Sequence, residues 1–286
     1  MIVSVLNGLA IGFLLFILAV GLSLVFGMMN VLNLAHGAVF LGGAYLGATL
    51  ASGWGGFLAA LGIAAVAGAV AGAVLSLATE ALRTRSHLDQ ALLTLGIALV
   101  AAELLGVVFG DDPLTTAAPP GLDGSVTVLG VTYPTYRLAL VGVGIVLAGA
   151  VYVAVERTGV GALVRATVAD REMLAALGLD HRVVTAAVFA AGSALAAMAG
   201  VLGGPIYGAR PGLDATVLIL ALAVVVIGGL GSVRGALVGA LLIGQVESVG
   251  RALLPDLASF LLFGALAVVL VVRPRGLFGA GEAAAR

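Results

Sequence analysis

From Met1 to Thr79 the chain carries no Asp, Glu, Lys or Arg. A soluble domain cannot be built on such a stretch, because about a quarter of its residues normally carry charge. The pattern persists beyond Thr79: the charged fraction of the whole chain is 9%, the hydrophobic fraction 62% and the mean hydropathy +1.25. The solvent for most of this chain is therefore lipid, and the fold class expected is an all-α polytopic membrane protein. Glycine supplies 43 of the 286 residues. In lipid, helices associate by close packing rather than by the hydrophobic effect, and small residues permit that approach.

A span needs about 20 apolar residues. Cut at its polar and Gly/Pro punctuation, the chain yields candidate spans near 8–28, 34–52, 57–79, 90–110, 137–155, 184–204, 215–231, 236–253 and 257–272. The seventh and eighth are short and could form a re-entrant pair, so eight or nine helices cross in one transmembrane domain, 1–286. Nine of the thirteen basic residues, all Arg, fall in three segments on one side: Arg83 and Arg85; Arg157, Arg165, Arg171 and Arg182; and Arg273, Arg275 and Arg286. The positive-inside rule makes that side the cytoplasm, with the N-terminus outside and the C-terminus inside. The opening MIVSVLNGLA lacks a basic n-region, so no cleavable leader is expected. The localisation expected is a bacterial plasma (inner) membrane. An outer loop, 111–136, holds SVTVLGVTYP, in which β-branched residues alternate around Gly130; this reads either as a hairpin or as a simple connector.

Three hydrogen-bonding side chains interrupt the uncharged region, in MMNVLNLAHG: Asn30, Asn33 and His36. On a helix this spacing forms a stripe spread over about 120°. Gly27 and Gly37 flank it and allow a break. The stripe can line a substrate path beside a broken helix, tie neighbouring helices together, or form an interfacial turn. Substrate-path candidates are Asn30, Asn33, His36 and Gly37. A second interruption, Gly228, Gly229, Gly231, Ser232 and Gly235, is too rich in small residues for a rigid lipid-facing helix. It reads as a gate or hinge turn, or as an ordinary short loop. Arg234 inside it should face cytoplasm, a cavity or a carboxylate such as Glu247. The tetrapeptide His36-Gly37-Ala38-Val39 also resembles Arg234-Gly235-Ala236-Leu237, a faint sign of an internal repeat.

Several chemistries lack their residues. A P-loop needs a Lys that the chain does not have. Cysteine is absent and the three His stand apart at 36, 87 and 181, so neither thiol chemistry nor a metal site is expected. No nucleophile has an adjacent base, and a net charge of −1 leaves no footprint for nucleic acid. The chain is not expected to be an enzyme or to bind a cofactor.

One long charged stretch remains, the loop 156–182, ERTGVGALVRATVADREMLAALGLDHR. It favours a helix from Ala162 to Leu177, with Gly178 as its stop. It is either a solvated linker or a helix that docks on a cytoplasmic partner. Its Glu172 and Gly178 resemble the coupling segment of ABC import permeases, with Met173 and Leu174 departing from that pattern. GLSLVFGMMNVLNLAHGAVFLGGAY, RATVADREMLAALGLD, GGLGSVRGALVGALLIG and RPRGLFG together resemble, in order and over nearly the whole chain, the shorter of the two permease subunits of high-affinity branched-chain amino acid ABC transporters. The resemblance implies a second permease subunit, two cytoplasmic ATP-binding subunits that use the ATP, and an extracytoplasmic binding protein. It implies alternating access, with Arg165, Asp170, Arg171, Glu172 and Gly178 at the ATPase contact. Related urea and short-amide permeases share these motifs. The rival reading is a self-sufficient transporter that relays protons through Glu103 and Glu247.

Overall fold

The computed structural model describes residues 1–29, 32–82, 85–128, 130–169 and 180–278. Within them lie α1 (Ile2–Met29), α2 (His36–Leu50), α3 (Gly53–Ala81), α4 (His87–Phe109), β1 (Ser125–Val128), β2 (Val131–Pro134), α5 (Thr135–Arg157), α6 (Gly159–Ala169), α7 (His181–Tyr207), α8 (Leu213–Gly228), α9 (Val233–Leu253) and α10 (Ala258–Val272), with one 3₁₀ turn at Pro255–Leu257. Among the described residues six helices, α1, α3, α4, α5, α7 and α9, are long and apolar enough to cross a membrane. The expected count of eight or nine spans needs the shorter helices as well. α2 has 15 residues and α8 has 16, about 22 and 24 Å at ~1.5 Å per residue, less than the ~30 Å hydrocarbon thickness. The expected re-entrant pair of short seventh and eighth spans is not seen as drawn: the eighth is the 21-residue α9.

Close backbone packing organises the bundle around α7. Gly21 of α1 meets Gly192, Gly43 of α2 meets Ala197, and Gly72 of α3 meets Phe189; a Cβ on any of the three would come within 2.6 Å of α7 backbone. α1 also packs along α9, where a Cβ on Gly244 would lie 2.4 Å from the Gly8 carbonyl. The result is a core of α1, α2, α7, α8 and α9 side chains, among them Phe16, Phe40, Leu41, Val201 and Ile243. α4 and α5 present apolar side chains such as Leu92, Leu99, Val107 and Val146 outward, as lipid or partner-facing helices do.

The outer-loop segment contains the hairpin. β1 and β2 pair antiparallel with Val128 opposite Val131, and Gly130 takes φ +80° in the turn. Earlier in the same loop, Leu114 pairs with Ala209 across the bundle end, and Trp54 Nε1 donates to the Pro120 carbonyl at 2.9 Å.

Candidate functional site

The connection from α1 to α2 turns back into the bundle. His36, the first residue of α2, places Nε2 2.9 Å from the Leu18 carbonyl. Leu18 lies eleven residues before Met29, about 16 Å back along α1. Residues 32–35 therefore cross that depth as irregular backbone. Non-helical backbone at such depth must be buried in protein with its polar groups satisfied. Thr94 of α4 satisfies two of them: its hydroxyl donates to the Leu32 carbonyl at 2.9 Å and accepts the Leu34 N–H at 3.2 Å.

Of the alternatives the spacing leaves open, the described residues fit a broken helix: Asn33 sits in the irregular segment and His36 begins a new helix. Asn30 lies outside the described residues. Asn33 is buried; its Oδ1 accepts the Ala35 N–H at 3.1 Å, while its Nδ2 has no hydrogen-bond partner. His36 is fully buried, and since a carbonyl only accepts, Nε2 carries the proton toward Leu18. Its Nδ1 has no partner. Gly37 is required by packing: a Cβ there would lie 2.3 Å from the Asp214 carbonyl of α8. The break thus collects two buried polar atoms with unused hydrogen-bonding capacity. Beside it lies an apolar cavity of about 520 Å³ that starts at Ala35 and runs between α2, α3, α4 and α7, past Ala38, Gly68, Leu75, Ala101 and Ala197. Neither Asn33 nor His36 lines it.

The second interruption is a tight turn between α8 and α9. Gly229 and Gly231 adopt φ +97° and +75°, and Ser232 caps α9 by accepting the Gly235 N–H at 3.0 Å. Gly228 and Gly235 abut, and a Cβ on Gly27 of α1 would lie 2.1 Å from Gly231 Cα. Residues 275–278 close over the same turn: Leu277 and Phe278 N–H groups donate to the Ile227 and Gly228 carbonyls at 2.8 and 3.0 Å. These are the orphan carbonyls that end α8. Arg234 is exposed; its Nη2 donates to the Tyr152 hydroxyl at 2.8 Å and its guanidinium stands 5.2 Å from that ring. Arg234 also borders a cavity with Phe16 and Ala148, one of the environments expected for it; Glu247, the carboxylate offered as another, holds Arg251 at 2.6 Å, because a helix brings residues four apart together.

At the same end as Arg157, α6 carries Arg165. Asp170, Arg171, Glu172 and Gly178 lie outside the described residues, as does the second half of the expected Ala162–Leu177 helix. Past them, Asp180 caps α7 by accepting the Arg182 N–H at 2.9 Å. Glu80, at the end of α3, lies 3.6 Å from His181 Nε2 and 3.5 Å from Arg182 Nε. The loop is thus fastened to α3 at its far edge. Thr94, Tyr152, Glu80 and the capping role of Leu277 and Phe278 escape a reading of the sequence; only the Glu247–Arg251 spacing carries a signal that finds its pair. Glu103 is exposed on α4, which packs on α2 and α3, whereas Glu247 is buried on α9 against α1, α8 and α10.

Residues 4–271 match the family model described as branched-chain amino acid transport system / permease component. The chain is 29% identical to the high-affinity branched-chain amino acid transport system permease protein BraD of Pseudomonas aeruginosa, covering 96% of this chain and 95% of that protein. It is 28% identical to the permease proteins LivH of Escherichia coli K12 and of Salmonella typhimurium, in each case over 96% of this chain and 94% of the relative. No solved structure matches it. A match over nearly the whole length, on a bundle of apolar helices interrupted at the two predicted places, means that the chain belongs to the branched-chain amino acid transport system permease family.

Proposed function

We propose that this chain is the shorter membrane subunit of an ATP-driven importer for amino acids with apolar side chains, leucine, isoleucine and valine foremost. The observation that carries the reading is the family match across residues 4–271. In this reading a second permease subunit completes the path, two ATP-binding subunits dock on the cytoplasmic side, and a soluble binding protein delivers substrate from outside. The N-terminus and the hairpin face outward, and the C-terminus lies in the cytoplasm of a cell whose inner membrane the chain spans eight or nine times. The loop from Glu156 to Arg182 receives the ATPases through Arg165, Asp170, Arg171, Glu172 and Gly178. Its attachment to α3 through Glu80 supports a mechanical role. The Leu32–His36 break, with the unused polar atoms of Asn33 and His36, lines or borders the route, and the glycine turn Gly228–Gly235 is its inner gate.

A proton relay through Glu103 and Glu247 has less support, because one is exposed on α4 and the other is salt-bridged on the far helix pair. The deciding experiment is co-purification with the candidate ATPase subunits, followed by leucine uptake into vesicles supplied with ATP and the cognate binding protein. Uptake that requires all the parts is expected. Leucine movement by the purified chain alone, driven by a proton gradient, would overturn the importer reading. Glu172→Lys should leave insertion intact and separate ATP hydrolysis from uptake.

A further inference from the structure

We infer that the cleft between α8, α9 and α10 is a binding site for a free α-amino acid, held by both of its charges; this rests on the importer reading. The cleft has a volume of about 220 Å³. That lies below the roughly 300–1,000 Å³ of sites for drug-sized ligands and suits a single small molecule. Its walls are Thr216, Ile219 and Leu220 of α8 with Leu262 and Phe263 of α10, and its polar side is Glu247 with Arg251 of α9.

The polar side is half used. Glu247 is only 5% exposed, and its Oε1 accepts Arg251 Nη2 at 2.6 Å. Its Oε2 is buried with no hydrogen-bond partner. Buried carboxylates are normally satisfied at both oxygens, and leaving one bare is costly. A primary ammonium, with three donors, completes the pairing. Arg251 is bound to Glu247 through Nη2, and its side chain is 66% exposed. The guanidinium has five N–H donors in a fork that matches a carboxylate in two-point contact. The ammonium of an amino acid on Glu247 and its carboxylate on Arg251 close a ring of alternating charge that is neutral overall. An amine or a carboxylic acid alone would leave one partner unanswered. The side chain of the ligand then lies against Ile219, Leu220, Leu262 and Phe263, which selects apolar side chains.

The position fits a receiving site. Glu247 lies in the last two turns of α9, and α8 and α10 contribute residues of their first two turns. In the proposed orientation this end faces outward, where substrate is delivered.

The test uses the assembled importer in lipid vesicles. Tritiated leucine binding is measured without ATP, in competition with isoamylamine, which lacks the carboxylate, and isocaproate, which lacks the ammonium. Unlabelled leucine should compete and neither analogue should. Glu247→Gln and Arg251→Gln should each weaken binding by about tenfold or more, the usual effect of losing a charge-assisted hydrogen bond. Ile219→Trp keeps the ion pair and fills the cleft, so it separates loss of the site from loss of the fold; it should abolish binding while the complex still assembles. The site is refuted if a working wild-type complex is matched by all three variants, or if isoamylamine competes as well as leucine. A wild-type complex that imports no amino acid refutes the importer reading and this site with it.

Discussion

The Thr94 hydroxyl of α4 clasps the backbone on either side of Asn33: it donates to the Leu32 carbonyl and accepts from the Leu34 N–H. One side chain thus answers two backbone groups of the irregular segment that joins α1 to α2 at bundle depth. Thr94→Val keeps the shape and removes both bonds. Each backbone group left unpaired costs about 1–3 kcal/mol, so the purified protein should melt several degrees lower and transport less. Thr94→Ser should retain most of both. Equal melting curves for the Val and Ser variants would show that Thr94 is dispensable to the break.

Two adjacent glycines in α2 should respond in opposite ways to the same change. A Cβ on Gly43 would lie 1.9 Å from the Ala197 carbonyl of α7, whereas a Cβ on Gly42 would lie 3.9 Å from the nearest atom, on Leu105. Gly43→Ala must push α2 off α7, and overpacking of this kind costs about 1–3 kcal/mol or more. Gly42→Ala should be neutral or slightly stabilising, since Ala favours helix over Gly by up to ~1 kcal/mol. Detergent-extracted yield and melting temperature of the two variants, side by side, check this.

How much of the fold and site is legible in the sequence depends on whether the cause is local. Charge-free runs announce the membrane class, and alternation around Gly130 marks the hairpin seen at Ser125–Pro134. Depth is not legible: the pattern through Asn30, Asn33 and His36 looks the same whether a helix continues or the chain doubles back, and only the Leu18 contact places the break. Partners far apart in the chain are missed for the same reason. Charge alone leaves Arg234 a choice of cytoplasm, cavity or a carboxylate such as Glu247; the sequence does not show that it meets Tyr152 at a cavity edge, while Glu247 takes the Arg251 that helical spacing puts beside it.

Residues 273–278 have a physical task at the end of α8, through the Leu277 and Phe278 N–H groups. Gly276, at φ +79°, makes the approach possible; a Cβ there would lie 2.6 Å from Gly229 N. A chain ending at Phe278 keeps both bonds and is the reference for the comparison. A chain ending at Arg275 loses both, and Gly276→Val misplaces them. Each lost bond is worth about 0.5–1.5 kcal/mol, so both variants should melt lower than the Phe278 truncation. Identical melting of all three would remove the capping role.

Glu80 separates stability from coupling. Its contacts to His181 and Arg182 span 3.6 and 3.5 Å with Arg182 largely exposed, and an ion pair such as that to Arg182 contributes only about 0–1 kcal/mol to stability. Glu80→Ala should therefore fold and assemble almost normally. What it removes is the fastening of α7's first turn to α3, next to the segment proposed to receive the ATPases. A loop that yields under load transmits less displacement, so leucine imported per ATP hydrolysed should fall while hydrolysis itself persists. The exchange Glu80→Arg with Arg182→Glu re-creates an opposite-charge pair and should recover part of that ratio. If Glu80→Ala leaves uptake per ATP unchanged, the contact is ornamental to transport; if stability falls with uptake and the exchange restores neither, it serves only to hold the fold.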